Sequence, residues 1–331
     1  LAFIYGELPY EKHDFDQVQV ALMLRYLGRR LLQIIPVFFG VTLLVYAMVF
    51  AVPGDPIRAM FGDKQPSDAV INALRAQYNL DQPFFVQYFL FLKNLLSFNL
   101  GVDFTGRPIA DILAQVYPVT MQLAIMALVI EAVFGIAAGL IAGLNKGKFF
   151  DATLLVFSLL LISVPTFVIG FVLQLVIGLQ LGWARPTVGS TVDFNSLILP
   201  AIVLASVSFA YVLRLTRTSV AEGMDADYVR TATAKGLSRG RVISVHVLRN
   251  SLIPVVTFLG ADLGNLMGGA IVTEAIFNVP GVGNKLYQSI IRGEGPTIVA
   301  IVSLLVLVFV ISNLIVDLLY AWLDPRIRYD K

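Results

Sequence analysis

The 331-residue chain contains no cysteine. That excludes a disulfide frame, a thiolate zinc site and a cysteine-ligated iron–sulfur cluster. Charge is scarce as well. Lys, Arg, Asp and Glu make up 14% of the residues, against about 25% in soluble domains. The net charge of +2 is too small to point to nucleic acid as a partner. Histidine occurs only as His13 and His246, far apart, so the paired-histidine metal motif of an intramembrane protease is missing. No nucleophile–base pair has a supporting local context. "AGLNKGKF" (142–149) lacks both the first glycine and the final Ser/Thr of a phosphate loop. Lys146 and Lys148 are therefore read as topological charges, and the chain is expected to bind no nucleotide, metal or other cofactor itself.

What the chain has in excess is apolar surface. Hydrophobic residues reach 57% and the mean hydropathy is +0.81. Both predict an all-α polytopic membrane protein embedded in lipid. A spanning helix needs roughly 20 apolar residues, and six stretches qualify: about 31–52, 119–144, 152–178, 197–219, 251–273 and 297–322. The third contains Pro165, which predicts a kink or tilt. Residues 23–331 read as one membrane domain. Met23 opens a stretch that reads as a natural start, and residues 1–22 as a separate polar tail without signal-peptide features. The long loop 53–116 holds a "PGDP" turn, a capped helix over 67–80 and an interfacial apolar helix over 83–96.

Lysine and arginine set the orientation. With the amino terminus inside, segments 1–30, 145–151, 214–250 and the tail from 323 carry 16 of them, against 8 on the opposite side. Both termini are therefore expected in the cytoplasm. Two helices carry glycine at every fourth position: Gly135, Gly139 and Gly143, then Gly260, Gly264 and Gly268. Each set marks a face where another backbone can approach, either as static packing or as a seam that moves. Four acids fall in or near spans: Glu131, Asp262, Glu274 and Asp317. Ionisable groups at such depth face protein or water. Glu131, Asp262 and Glu274 are the candidates for a translocation path or gate, with structural hydrogen bonding as the alternative.

The segment "YVRTATAKGLSRGRVISVHVLRN" (228–250) separates two apolar stretches and carries five basic residues. Asp225 and Asp227 stand where a helix would start, Lys235 at its end, and Gly236 follows as a left-handed cap. Ser238 can cap a second helix over 239–249, closed by Arg249 and Asn250. A helix–Gly–helix loop of this length exceeds what a connection requires. Its small-residue crest, 231–238, is either an unremarkable turn or a surface that seats in a groove of another protein.

"RTATAKGLSRGRVISVHVLRNSLIP" (230–254) resembles the loop shared by permease subunits of binding-protein-dependent ABC importers, in the dipeptide/oligopeptide/nickel branch. Gly236 matches the family's glycine, and Ile253 with Pro254 its downstream end. Arg230, Thr231 and Ala232 stand at the family's Glu-Ala-Ala positions, where only Ala232 agrees. "GVTLLVYAMVFAVPGDP" (40–56), "YNLDQPFFVQY" (78–88), "GGAIVTEAIFNVPGVG" (268–283) and "VDLLYAWLDPRIRY" (316–329) resemble the same branch. The resemblance covers residues 23–331 and points to the member of the permease pair with the long external loop. It implies a paralogous permease as partner, two ATPase subunits holding ATP and Mg, and an extracytoplasmic binding protein that delivers peptides. It also implies an ATPase-coupling role for Tyr228, Arg230, Thr231, Ala232, Ala234, Lys235, Gly236, Leu237, Ser238 and Arg241. The alternative is an ion-coupled secondary transporter or channel using Glu131, Asp262 and Asp317, which leaves the ordered polar loop unexplained.

Overall fold

The computed structural model describes the backbone of residues 12–51, 56–59, 61, 66–103, 105–189, 191–267 and 270–323. Side chains are described from 28 to 316 within these, except 56 and 59. The described residues form helices joined by short turns, with one isolated bridge between Val102 and Pro108. In chain order they are α1 (Lys12–Phe50), α2 (Pro56–Ala59), α3 (Asp68–Gln77), α4 (Phe84–Leu96), α5 (Ile109–Leu144), α6 (Phe149–Ser163), α7 (Thr166–Leu173), α8 (Phe194–Asp225), α9 (Asp227–Ala234), α10 (Arg239–Arg241), α11 (Leu248–Met267), α12 (Ile271–Phe277), α13 (Val282–Ile291) and α14 (Gly295–Leu323). A π-helical stretch, Gln174–Gln180, prolongs α7, and another, Val242–Val247, joins α10 to α11. The tail 1–11, the "PGDP" turn apart from Pro56, Gly268 and the last eight residues lie outside the described residues.

Among the described residues, five segments are long and apolar enough to cross a membrane: Gly28–Phe50, Ile109–Leu144, Phe194–Asp225, Arg239–Met267 and Gly295–Val316. The third expected span is a broken pair. Phe149–Ser163 and Thr166–Gln180 meet at 102°. Val164 takes an extended conformation (φ −93°, ψ 126°) before Pro165, as a residue preceding proline must when the ring excludes the α region. The expected kink is thus a corner. The fifth span also departs from its expected limits. It ends at Met267 rather than 273, and Ile271–Phe277 is a separate helix outside it.

α5 and α8 form the most extensive helix contact among the described residues. Its cause is the stripe Gly135, Gly139 and Gly143, which faces Val212, Thr216 and Val220 of α8. A Cβ added at Gly139 would lie 2.5 Å from Thr216 Cβ and 2.6 Å from the Leu213 carbonyl oxygen. Lipid tails are as apolar as leucine, so helices in a bilayer gain from close packing rather than from leaving water. The second glycine set is different. Gly264 faces Ser312 and Asn313 of α14 at an ordinary 3.5 Å, Gly260 is half-buried, and Gly268 is not described.

The loop after α1 folds back on the bundle. α4 buries Tyr88, Leu92 and Leu95. Tyr88 stacks edge-on against Tyr46 at 5.6 Å, and its hydroxyl donates to the Phe39 carbonyl at 3.0 Å. The opposite face of α4 exposes Phe85, Phe89 and Leu96, the distribution of a helix lying at a lipid–water boundary.

Gly139→Leu is expected to prevent a monodisperse species in detergent. Gly139→Ala should lower the thermal midpoint by an amount equivalent to about 1–3 kcal/mol of overpacking. Fluorescence-detected size exclusion after heating reads both, and an unchanged midpoint for the alanine variant would contradict the close α5–α8 approach.

Candidate functional site

The polar loop is built from both sides. α8 continues past the expected limit of 219 and ends at Asp225, so Asp225 closes the fourth helix rather than opening the next. Ala226 is extended (φ −73°, ψ 150°), and Asp227 is the first residue of α9. α9 ends at Ala234, and Gly236 takes φ +79°. That conformation burdens any residue with a Cβ. The turn is closed by Gly236 N–H donating to the Thr233 carbonyl (2.9 Å) and Leu237 N–H donating to the Ala232 carbonyl (3.3 Å). Ser238 then precedes α10, although its side chain makes no capping bond. The expected stop at Arg249 and Asn250 is absent. Helix runs without a break from Arg239 through the π-helical stretch to Met267. A π-helical stretch keeps the backbone hydrogen-bonded while shifting its register.

Val229, Ala232, Val242 and Val247 are buried together with Val220 of α8, and Leu140, Leu144, Met224 and Leu237 pack around them. Ala232 therefore points inward, and the crest is not uniformly outward. The outward face consists of Tyr228, Arg230, Thr231, Thr233, Ala234, Lys235, Gly236, Ser238 and Arg241, with Leu237 half-buried. Ser251 Oγ donates to the Ser219 carbonyl at 3.0 Å, tying α11 to α8 beside the loop. His246 is half-buried within the π-helical stretch.

Sequence reasoning missed a clamp on the same end of the bundle. Arg217 donates through Nε (2.9 Å) and Nη2 (2.7 Å) to the two carboxylate oxygens of Asp151. Gly147 N–H donates to Asp151 Oδ2 at 2.8 Å. Bidentate guanidinium–carboxylate geometry fixes direction as well as distance. It locks the 145–151 turn and the start of α6 to α8. Lys146 adds an exposed pair with Asp225 at 3.7 Å.

The acids divide into two groups. Glu131, on α5, is fully buried, and neither carboxylate oxygen has a hydrogen-bond partner among the described residues. Asp262 of α11 and Ser208 of α8 are the polar groups facing it. Asp262 Oδ2 is also without a partner, while Oδ1 accepts from Asn265 at 3.3 Å. The sequence placed these two acids separately; the fold brings them together where α5, α8 and α11 meet. Glu274 stands apart, fully buried near the start of α13. Its Oε1 accepts from Thr120 Oγ1 at 2.7 Å and its Oε2 from Asn284 N–H at 2.9 Å. Val282 N–H donates to Thr120 Oγ1 at 2.9 Å. The carboxylate of the preceding helix and a hydroxyl from the distant α5 thus each satisfy one open N–H of the first turn of α13. A Cβ at Gly281 would lie 2.4 Å from Glu274 Oε2, and one at Gly283 would meet the Ile271 backbone, 2.7 Å from its Cα, with Glu274 Oε2 next at 3.0 Å. Asp317 belongs to residues whose side chains are not described.

A second ionic cluster lies nearby. Lys285 approaches Asp103 (3.9 Å) and the fully buried Glu294 (3.6 Å), and Arg292 approaches Glu294 at 3.8 Å. Burial pushes the Asp103 carboxyl up. Bonds from the Thr105 hydroxyl and the Arg107 and Thr105 N–H groups, with Lys285, outweigh that and hold it below the usual carboxylate range. A lowered folded-state value gives stability that is present above the unfolded value and lost as pH falls through the folded one. Acidification below about pH 4 should therefore lower the thermal midpoint of the chain. Asp103→Asn should show a smaller drop over the same range; an equal drop would remove Asp103 as a source.

Comparison with known proteins follows the same division of the chain. Residues 135–329 match the family described as binding-protein-dependent transport system inner membrane component. Residues 23–124 match the corresponding N-terminal family. The chain is 37% identical over 336 residues to the di/tripeptide transport system permease protein DppB of Pseudomonas aeruginosa, covering 93% of this chain and 100% of the relative. It is 39% identical over 308 residues to the glutathione transport system permease protein GsiC of Escherichia coli K12, with the same coverages. Two family matches spanning most of the chain set aside the ion-coupled alternative. The chain belongs to the family of inner-membrane components of binding-protein-dependent transport systems, the permease subunits of ABC importers.

Proposed function

We propose that this permease forms half of the membrane passage of an ATP-driven importer of short peptides, and that loop 222–250 is the element through which ATPase subunits drive it. A paralogous permease supplies the other half, an extracytoplasmic binding protein delivers the substrate, and two ATPase subunits hold ATP and Mg. The chain itself catalyses nothing. Both termini and the loop face the cytoplasm, which the excess of 16 against 8 basic residues supports. A peptide substrate is supported by the named cargoes of the relatives, di/tripeptides and glutathione, all of which are short peptides. Glu131 and Asp262 belong to the α5–α11 contact of the passage wall, and Glu274 holds the cap formed by α12 and α13.

The observation that carries the coupling assignment is the construction of the loop. Val229 and Ala232 anchor α9 on the chain's own core. Gly236 turns it sharply, and the small side chains of Thr231, Thr233, Ala234 and Ser238 remain outward. A surface with little side chain can seat close to a partner backbone. Anchoring on one side and continuous helix on the other make it stiff, and a push on it moves α8 and α11 instead of bending the turn.

Position 234 separates docking from folding. Ala234→Arg is expected to reduce co-purification of the ATPase subunits about tenfold or more, the loss of at least about 1.4 kcal/mol at a contact surface. The thermal midpoint of the permease should be unchanged. Ala232→Arg should instead lower that midpoint, because it buries a charge against Val229 and Val220. Full ATPase retention by the Ala234 variant would remove the loop as the contact. In proteoliposomes holding all subunits and the binding protein, dipeptide uptake should require lumenal or external ATP on the loop side. Uptake by this chain alone under an ion gradient would contradict the importer reading.

A further inference from the structure

The exposed faces of the spanning helices are of two kinds. On α5 the outward residues through the middle of the helix are Ile125, Val129, Val133 and Phe134, and on α6 they include Val156, Phe157 and Leu160. These are surfaces that lipid accepts. α8 and α11 present mixed faces: Ile202, Ile253 and Val256 are exposed there too, but each helix also carries polar residues. Tyr211, Arg214 and Thr218 are exposed on α8. Their spacing of three and four places them on one side of the helix. Thr257, Ala261 and Asn265 are exposed on α11 at intervals of four, again a single stripe. Tyr211 and Phe258 bring the two stripes into one surface, their rings 6.0 Å apart.

Arg214 is the anomaly on this surface. Its neighbour Arg217 is bound to Asp151, and Lys146 and Arg230 have acidic partners. Arg214 makes no hydrogen bond or ion pair among the described residues. It lies 11 residues before the end of α8, about 16 Å along the axis. Arg214 opens the 214–250 segment counted on the cytoplasmic side and lies one turn from the Asp151-bound Arg217, so it stands at the cytoplasmic end of the span. A guanidinium there still needs water or an anion, and its cost in hydrocarbon is below the roughly 2.5–3.5 kcal/mol of a helix centre. Tyr211, Thr218 and Asn265 on the same face add polar groups that lipid would also disfavour. Water and an anionic group satisfy all of them.

Resting on the importer reading above, we infer that the Tyr211–Arg214–Thr218 and Thr257–Ala261–Asn265 stripes form this chain's wall of a water-filled passage. In it, Arg214 is the binding group for a carboxylate of the substrate, such as the C-terminal carboxylate of a short peptide. The guanidinium offers its paired N–H donors to the two carboxylate oxygens in the geometry that Arg217 already shows with Asp151. The stripe on α11 adjoins the buried Glu131–Asp262 contact through the Asn265–Asp262 bond. The positive field that draws an anion to this surface comes from Arg214 itself, while the two acids stay buried behind the wall and add no attraction for one.

The absence of native cysteine makes the wall directly measurable, because single-cysteine variants of this chain need no background substitution. The complete complex is placed in phosphatidylethanolamine–phosphatidylglycerol nanodiscs. It is treated with membrane-impermeant methanethiosulfonates, and modification of this chain is read by mass. Thr257→Cys and Ala261→Cys should react at least about tenfold faster than Val133→Cys and Phe157→Cys, as for thiols in water against thiols in lipid. Equal rates would place the stripe against lipid or a dry interface and overturn the passage wall. At Thr218→Cys, one helical turn from Arg214, the anionic sulfonatoethyl reagent should be favoured over the cationic trimethylammonium one. Arg214→Gln should cut that preference about tenfold, and Arg214→Lys should keep most of it. A preference unmoved by Arg214→Gln, in complexes that still co-purify with all subunits, would overturn the anion site. The labelling rates do not depend on turnover, so absent ATP-driven uptake by the wild type would count against the importer reading and leave the wall to be judged separately.

Discussion

The near-contact of α5 and α8 backbones is the constraint on which the remaining arrangement depends. Three glycines at intervals of four remove the side chains that would keep these helices apart, and Val212, Thr216 and Val220 fill the space. Within lipid, where burial of apolar surface gives no net drive, such shape matching is the main source of helix association. Once the two axes are fixed, the far end of α8 is fixed too. α9 then folds back on Val220, the Asp151–Arg217 clamp closes on the turn before α6, and α11 crosses at Ser251. Each polar device at that end uses α8 as its base.

The opposite end is organised by buried charge. Glu274 replaces the missing acceptors at the start of α13, and Asp103, Lys285, Glu294 and Arg292 connect the loop before α5 to the start of α14. Gln174, in the π-helical stretch after α7, donates to the Pro186 and Ile276 carbonyls at 2.8 Å and 3.1 Å. The bent α6–α7 pair is thereby hooked to α12. Polar contacts hold both ends of the bundle, and where α5, α8 and α11 meet, Glu131 and Asp262 face each other, with both Glu131 oxygens and Asp262 Oδ2 lacking a hydrogen-bond partner among the described residues. A permease that alternates between two states needs ends that transmit and a centre that parts.

Legibility in the sequence followed the kind of energy involved. Spans were readable because transfer of apolar residues into lipid is a sum over a local stretch, and Gly236 was readable because a left-handed cap is a local requirement. Where helix continued outside that logic, the reading stopped short. The last turns of α8, from 220 to 225, are held by packing against α9 and α11 rather than by hydrophobicity, and the sequence carries no mark of it. Asn250 looked like a helix end, yet α11 passes through it because neighbouring helices support the backbone there. Asp151 with Arg217 and Glu274 with Asn284 were unreadable as pairs, since their partners are set by tertiary contact. Ala232 was read as part of an outward crest because its small size suits both an exposed turn and a tight core; only the positions of Val220 and Val229 decide between them.

The pocket that Gly281 and Gly283 leave is filled by the Glu274 carboxylate, and that has a bearing on how the chain can change over time. A methyl group at Gly281 collides with the acid, one at Gly283 collides with the Ile271 backbone, and a shorter acid at 274 no longer reaches the Asn284 amide. Single steps away from Glu274 and Gly281 each produce a damaged protein, and only a concerted replacement restores a fitting pair. Positions 274 and 281 are therefore expected to drift together among descendants or not at all, while 283 stays glycine because backbone, not a side chain, crowds it.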